Sequence, residues 1–314
     1  MIDTLRFTIH IDDPVIVQGI IGKLANTEDV TDRNDGATKI TGFFHNFHVT
    51  SERDTISFSG SLSKYFYNSN IYDLTRSEIR EACSKLSGEL GVDISSAKIL
   101  RLDIGRCIEL DHPVSEYLMA LSRITVYKRL ETEDETVEYR SKSNEKSFVF
   151  YNKIKELQDK DKDKKNTIPE EFINKNILRY ECRFLSKVKN NLKSKDPIMF
   201  SDLYNREFYK YLVTLWVDRY NSITKRRIFM LDSLSYENLT PDKLKTYLSA
   251  FALNQIGYNN IIEQLDSNRN IIGINNFSRF REMLNRLSND NRFFINDKHI
   301  EELDQKVNNT INEL

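Results

Sequence analysis

The chain has 314 residues with nearly balanced charge, 46 Lys or Arg against 47 Asp or Glu, for a net of −1. An apolar content of 39% with 18 Phe and 15 Tyr excludes a disordered chain, and only 10 Gly and 5 Pro exclude a collagen-like or linker-rich one. The length allows about two domains, and the charge balance argues against a protein that coats nucleic acid through overall basicity.

Residues 4–11 alternate, with Leu5, Phe7 and Ile9 set against Arg6, Thr8 and His10, which predicts a strand. Residues 38–50 and 55–62 are β-branched and aromatic and are separated by Ser-Glu-Arg-Asp, which predicts a hairpin. Over 77–90 the apolar residues Ile79, Ala82, Cys83, Leu86 and Leu90 recur at helical spacing, with Ser77 as the expected N-cap. A long strand is expected over 97–110, a helix over 113–122, and further strands over 125–130, 136–141 and 147–151. The charged run 158–166 reads as a solvated loop. Residues 177–184 alternate once more. Beyond about 186 the pattern is helical, over 199–221, after Thr240-Pro241, and over 276–287 and 299–312. In the helix after Thr240, residues Tyr247, Leu248, Phe251, Ala252 and Ile256 are expected on one face. The fold class is therefore α+β: a mainly antiparallel sheet core with flanking helices, followed by a helical C-terminal region. The expected division is 1–195 and 196–314.

Three strands carry polar faces. Leu100, Leu102 and Ile104 oppose Arg101 and Asp103. Leu178, Tyr180, Cys182 and Phe184 oppose Arg179, Glu181 and Arg183. Phe148 and Phe150 oppose Val149, Tyr151 and Lys153. A half-exposed sheet accounts for this pattern. So does a shared face on which two carboxylates hold Mg²⁺ or Mn²⁺ beside a nucleophilic tyrosine. Tyr180 belongs to the apolar side, and Tyr139 is the reserve nucleophile. His45 and His48 stand at i and i+3, so a regular strand sends them to opposite faces and they do not chelate together. His10, His112 and His299 show no constellation. Three cysteines without a CxxC pair, no apolar run near 20 residues and no leader-like N-terminus suggest a reduced, cytoplasmic protein without a membrane span.

These segments resemble the gene II/X-type replication initiators of filamentous phages and, more distantly, the Rep_trans plasmid initiators. The resemblance rests on Met1-Ile-Asp-Thr-Leu5, on Ser57–Lys64 followed by Asn70–Thr75, on Ile99–Ile104, on Phe148–Leu157 and on Ile177–Phe184, in that order. It implies a rolling-circle endonuclease that nicks and joins one DNA strand at an origin. Tyr151 would be the nucleophile and Lys153 would steady the phosphate. Asp103 and Glu181 would bind Mg²⁺ or Mn²⁺, with Glu156 as a third ligand or as a base. Arg101, Arg179 and Arg183 would hold DNA, joined by Lys187, Lys189 and Lys193. These last belong to a stretch, 142–195, with 15 Lys or Arg against 8 Asp or Glu. The alternatives are an origin-binding protein without chemistry and a transfer relaxase or single-strand transposase. The C-terminal helices could read DNA, pack on the core or dimerise, and host helicase or polymerase are possible partners.

Overall fold

A computed structural model describes residues 1–314 except 32–37, 125, 133–134, 161–167, 235–236, 238 and 314. The alternating segments become β1 (Ile2–His10), β2 (Ala25–Thr31), β3 (Thr38–Phe44), β4 (Phe47–Glu52), β5 (Thr55–Ser61), β6 (Lys98–Leu110), β7 (Tyr127–Thr132), β8 (Thr136–Ser141), β9 (Lys146–Asn152) and β10 (Asn176–Phe184). They form one 10-stranded sheet in the order β2-β3-β4-β5-β1-β6-β10-β9-β8-β7. Its pairings are antiparallel. The expected α+β class is what the chain adopts.

One face of this sheet is the core. Phe7, Phe58, Ile104, Phe150 and Tyr180 meet apolar residues of four helices there: α3 (Arg76–Leu90), α4 (Val114–Ala120), α7 (Arg206–Asn221) and α12 (Lys298–Asn309), with labels following chain order. Burying one such side chain contributes about 1.5–3 kcal/mol. The packing is also directional. Phe150 stacks on Tyr180 at 4.2 Å, and Tyr180 packs on Trp216 of α7 at 4.5 Å. The Tyr180 hydroxyl donates to the Trp216 carbonyl (3.0 Å), and the Trp216 indole donates to the Tyr180 carbonyl (3.3 Å). The central strands are thereby fixed from behind.

The other face carries the polar residues. The helices α1 (Pro14–Ile21) and α2 (Leu62–Tyr67) lie early in the chain, and α5 (Lys153–Lys160) leaves the end of β9. Contacts of α5 with β9 and β10 cover part of this face. Ile71, Val149, Leu157 and Ile177 are buried there, apart from the main core.

Several expectations shift. The segment 38–50 is two strands, because His45 takes a left-handed conformation (φ 51°) and turns the chain. Helix α3 begins earlier, since Thr75 rather than Ser77 is the N-cap, in a capping box with Glu78. In β6 a bulge against β1 turns Ile99 into the core and leaves Leu100 half-buried. The charged run lies, from 161 onward, outside the described residues, and its first residues close α5.

After α6 (Val188–Asn191) and α7, a second core forms from Phe229, Ala250, Leu253, Ile262, Leu284, Phe293 and Phe294. Its elements are the strand pair β11 (Arg227–Phe229) and β12 (Phe294–Asn296), with α8 (Pro241–Ile256), α9 (Tyr258–Ser267), α10 (Arg269–Ile272) and α11 (Ile274–Ser288) between them. The strand pair was not expected, because three residues are too few to show a period. Thr240 caps α8 as expected. Its buried residues, however, are Ala250 and Leu253, whereas Leu248, Phe251 and Ile256 face solvent. Helix α12 then returns to the core of the large sheet through Ile300, Leu303 and Val307.

Candidate active site on the polar face of the sheet

The register of β6, β10 and β9 assembles the face. Arg183 lies opposite Asp103 on one side and Ser147 on the other, and Arg179 lies opposite Tyr151. The period of two then places Asp103, Arg179, Glu181, Arg183 and Tyr151 on the same side.

Glu181 is the centre. Its Oε1 accepts the Tyr151 hydroxyl at 2.9 Å and the Arg179 Nε–H at 3.2 Å, and its Oε2 accepts from Arg183 at 2.7 Å. Burial alone would raise this carboxyl, but Arg183 and Arg179 more than reverse it and hold it down at about 2. Tyr151 is 8% exposed. Burial, and then the Glu181 charge, push its phenol well above the usual tyrosine range. At rest Tyr151 is therefore a protonated hydrogen-bond donor.

Asp103 is engaged differently. Arg101 grips it with two bonds, 3.0 Å to Oδ1 and 2.6 Å to Oδ2. Burial outweighs that grip, and the neighbouring Glu181 charge adds to it, so the Asp103 carboxyl is pushed up to about 6. Hard divalent cations take carboxylate oxygens. Asp103 and Glu181 supply four, each already bonded to an arginine or to Tyr151. Arg101 and Arg183 have side chains 31% and 30% exposed, so both can swing toward solvent. Asp103 and Glu181 thus offer the donor type that Mg²⁺ or Mn²⁺ takes, with their oxygens engaged here by Arg101, Arg179, Arg183 and Tyr151. Glu156, the third expected ligand, accepts from Lys153 Nζ at 2.8 Å.

Two expected contacts with DNA are corrected by burial. Arg179 is 1% exposed and its whole fork is spent inside. It donates to Asp73 (2.9 Å), to Asp3 (3.0 Å) and to Glu181. Lys153 is fully buried, donates to Asn70 Oδ1 at 2.9 Å, and sits 5.8 Å from the centre of the Tyr151 ring. Neither side chain reaches the surface from there. Lys187, Lys189 and Lys193 are exposed, Lys187 in an ion pair with Glu145. They follow β10, whereas Tyr151 lies near the start of that strand. Tyr139 points into the core and donates to the Ser122 carbonyl (3.1 Å), so it does not share the face. His45 bonds Glu89 of α3 on the covered side at 3.0 Å, while His48 is exposed. As expected, the two do not converge.

The sequence reading missed Asp3, Asp73 and Gly105. A Cβ on Gly105 would lie 2.7 Å from Glu181 Cγ and 3.0 Å from an Arg179 guanidinium nitrogen. Only glycine lets these side chains lie flat across β6. Asp3, Asn70 and Asp73 stand within the segments that carried the family resemblance.

A family model for the N-terminal part of the gene II replication-associated protein matches residues 1–207. The chain belongs to this replication-associated family. The matched segment spans the ten-stranded sheet and every residue of the polar face described above. The comparison with curated proteins gives no match. Among solved structures, a rolling circle replication initiator protein from Geobacillus stearothermophilus is similar at 12% identity, covering 78% of this chain and 93% of its own, with a TM-score of 0.41. Among the described residues no helix is long and apolar enough to cross a membrane.

Proposed function

We propose that this member of the gene II family initiates rolling-circle replication by nicking and rejoining one DNA strand at an origin, with Tyr151 as the nucleophile. The observation that carries this is the Tyr151 hydroxyl donating to Glu181 at 2.9 Å on a face shared with Asp103, Arg101 and Arg183.

In this reading the resting site is closed. A DNA phosphate competes for Arg183 and Arg101 and draws them off their carboxylates. As the phenol attacks, its proton passes along the existing hydrogen bond to Glu181 Oε1. The Tyr151 oxygen attacks the phosphorus, the P–O3′ bond breaks, and the 5′ phosphate stays on the tyrosine. The departing 3′ oxygen takes up a proton and primes synthesis. Joining is the reverse. Asp103 and the Glu181 Oε2 that Arg183 vacates would hold Mg²⁺ or Mn²⁺, which would polarise the scissile phosphate when bound. Lys153 and Arg179 keep the tyrosine and Glu181 in place. Lys187, Lys189 and Lys193 follow the DNA backbone.

The test is incubation of supercoiled origin DNA with Mn²⁺ and either wild type or Tyr151→Phe. Wild type should give nicked circles and a DNA–protein adduct on Tyr151, and the variant should give neither. Nicking by Tyr151→Phe overturns the nucleophile assignment. Tight origin binding by wild type with no cleavage makes this an origin-binding protein instead.

A further inference from the structure

We propose that His112, Glu116 and His299 form a binding site for a divalent transition ion of the Zn²⁺ class, which fastens α12 to the sheet domain. Their ligand atoms lie within 4.8 Å of one another, the one such trio of His, Cys, Asp or Glu among the described residues. His112 follows the end of β6, Glu116 is in the first turn of α4, and His299 is in the first turn of α12. Residues far apart in the chain thus meet. The trio stands among helices packed on the covered face, whereas Tyr151 is on the opposite face.

Two observations point to a cation. First, His299 is oriented like a metal ligand. Asp297, buried and capping α12, accepts both the His299 backbone N–H (3.0 Å) and its Nδ1–H (2.8 Å). A carboxylate on Nδ1 fixes the tautomer and leaves the Nε2 lone pair available. Second, that Nε2 is buried without a hydrogen-bond partner, although Glu116 Oε2 is 2.7 Å away. With the ring proton on Nδ1, the Nε2 lone pair and the Glu116 carboxylate are two acceptors side by side, and a cation bound by both resolves the conflict. His112 flanks the same spot, its ring edge-on to His299 at 4.9 Å. Two imidazoles and one carboxylate suit Zn²⁺ better than Mg²⁺. With three protein ligands, water completes the coordination.

The test is Zn²⁺ and Co²⁺ titration of the full chain, stripped with chelator and held in excess Mg²⁺ so that oxygen-only sites are filled. One equivalent should bind, Co²⁺ should show the visible absorption of a four-coordinate site, and Tm should rise. Asp297→Asn should weaken binding about 10–100-fold, and His112→Gln with His299→Gln should abolish it. Glu116→Gln, at a half-exposed position, gives the same readout if the histidine variants fold poorly. Absence of stoichiometric binding by wild type, or binding unchanged by Glu116→Gln and the double variant, overturns the proposal and leaves a His299–Glu116 pair sharing a proton.

Discussion

Asp103 and Glu181 sit on neighbouring strands, yet their surroundings drive their acidities apart. Glu181 is surrounded by guanidinium charge and lies at about 2, while burial raises Asp103 to about 6. The sign for Asp103 follows from its folded-state value lying above the ordinary aspartate value of 3.8. Its protonated form favours the fold, so that contribution is complete below about pH 4 and is lost as pH rises through about 6. The difference corresponds to roughly 3 kcal/mol. An asparagine cannot ionise there. Between pH 4 and 7 the melting temperature of Asp103→Asn should therefore gain on that of wild type. Melting curves that run parallel across this range would refute the buried-charge account. Added Mg²⁺ should narrow the gap at pH 7, since a cation neutralises the carboxylate that burial penalises.

At the scale of elements, Arg179 ties three segments together: β1 through Asp3, the approach to α3 through Asp73, and its own strand through Glu181. Removing one partner of a buried ionic cluster strands the others, at a cost of about 3–5 kcal/mol. Arg179→Lys has one nitrogen where the fork has three, and should lose most of this. Urea unfolding checks it, and a midpoint equal to that of wild type would mean that the cluster contributes nothing. The same strand shows what the sequence made legible. Alternation placed Glu181 and Tyr151 on one face correctly, because a period of two is local and strict. It could not say how deep that face lies. Arg179 and Lys153 look like surface cations in the sequence, but α5 and the 70–73 segment cover them, and coverage is a non-local property. The α8 face failed for a related reason. Its apolar residues are numerous enough to suggest a stripe, while the partner helices select Ala250 and Leu253. His112 and His299 were invisible as a group because chain separation hides contact.

For the whole molecule, balanced charge conceals local organisation. The cations expected to meet DNA within 142–195 do not share one place. Arg179 and Lys153 are consumed inside, while Lys187, Lys189 and Lys193 remain at the surface beyond the far end of β10. The family-matched segment ends at 207, but the core of its sheet does not. Ile300, Leu303 and Val307 of α12 complete it. Three such side chains contribute about 5–9 kcal/mol, comparable with the total stability of an ordinary domain. A chain ending at 296 should therefore lack a cooperative thermal transition. A truncated protein that melts as sharply as the full chain would show that α12 is dispensable.

That dependence on α12 has a consequence for synthesis. The ribosome finishes the ten strands and the tyrosine long before it reaches residue 298. Until α12 emerges and docks, the core behind the sheet that positions Tyr151 against Glu181 is incomplete. A nascent chain that has not reached α12 thus carries all ten strands and the residues of the polar face, but not the packing that completes the core behind them.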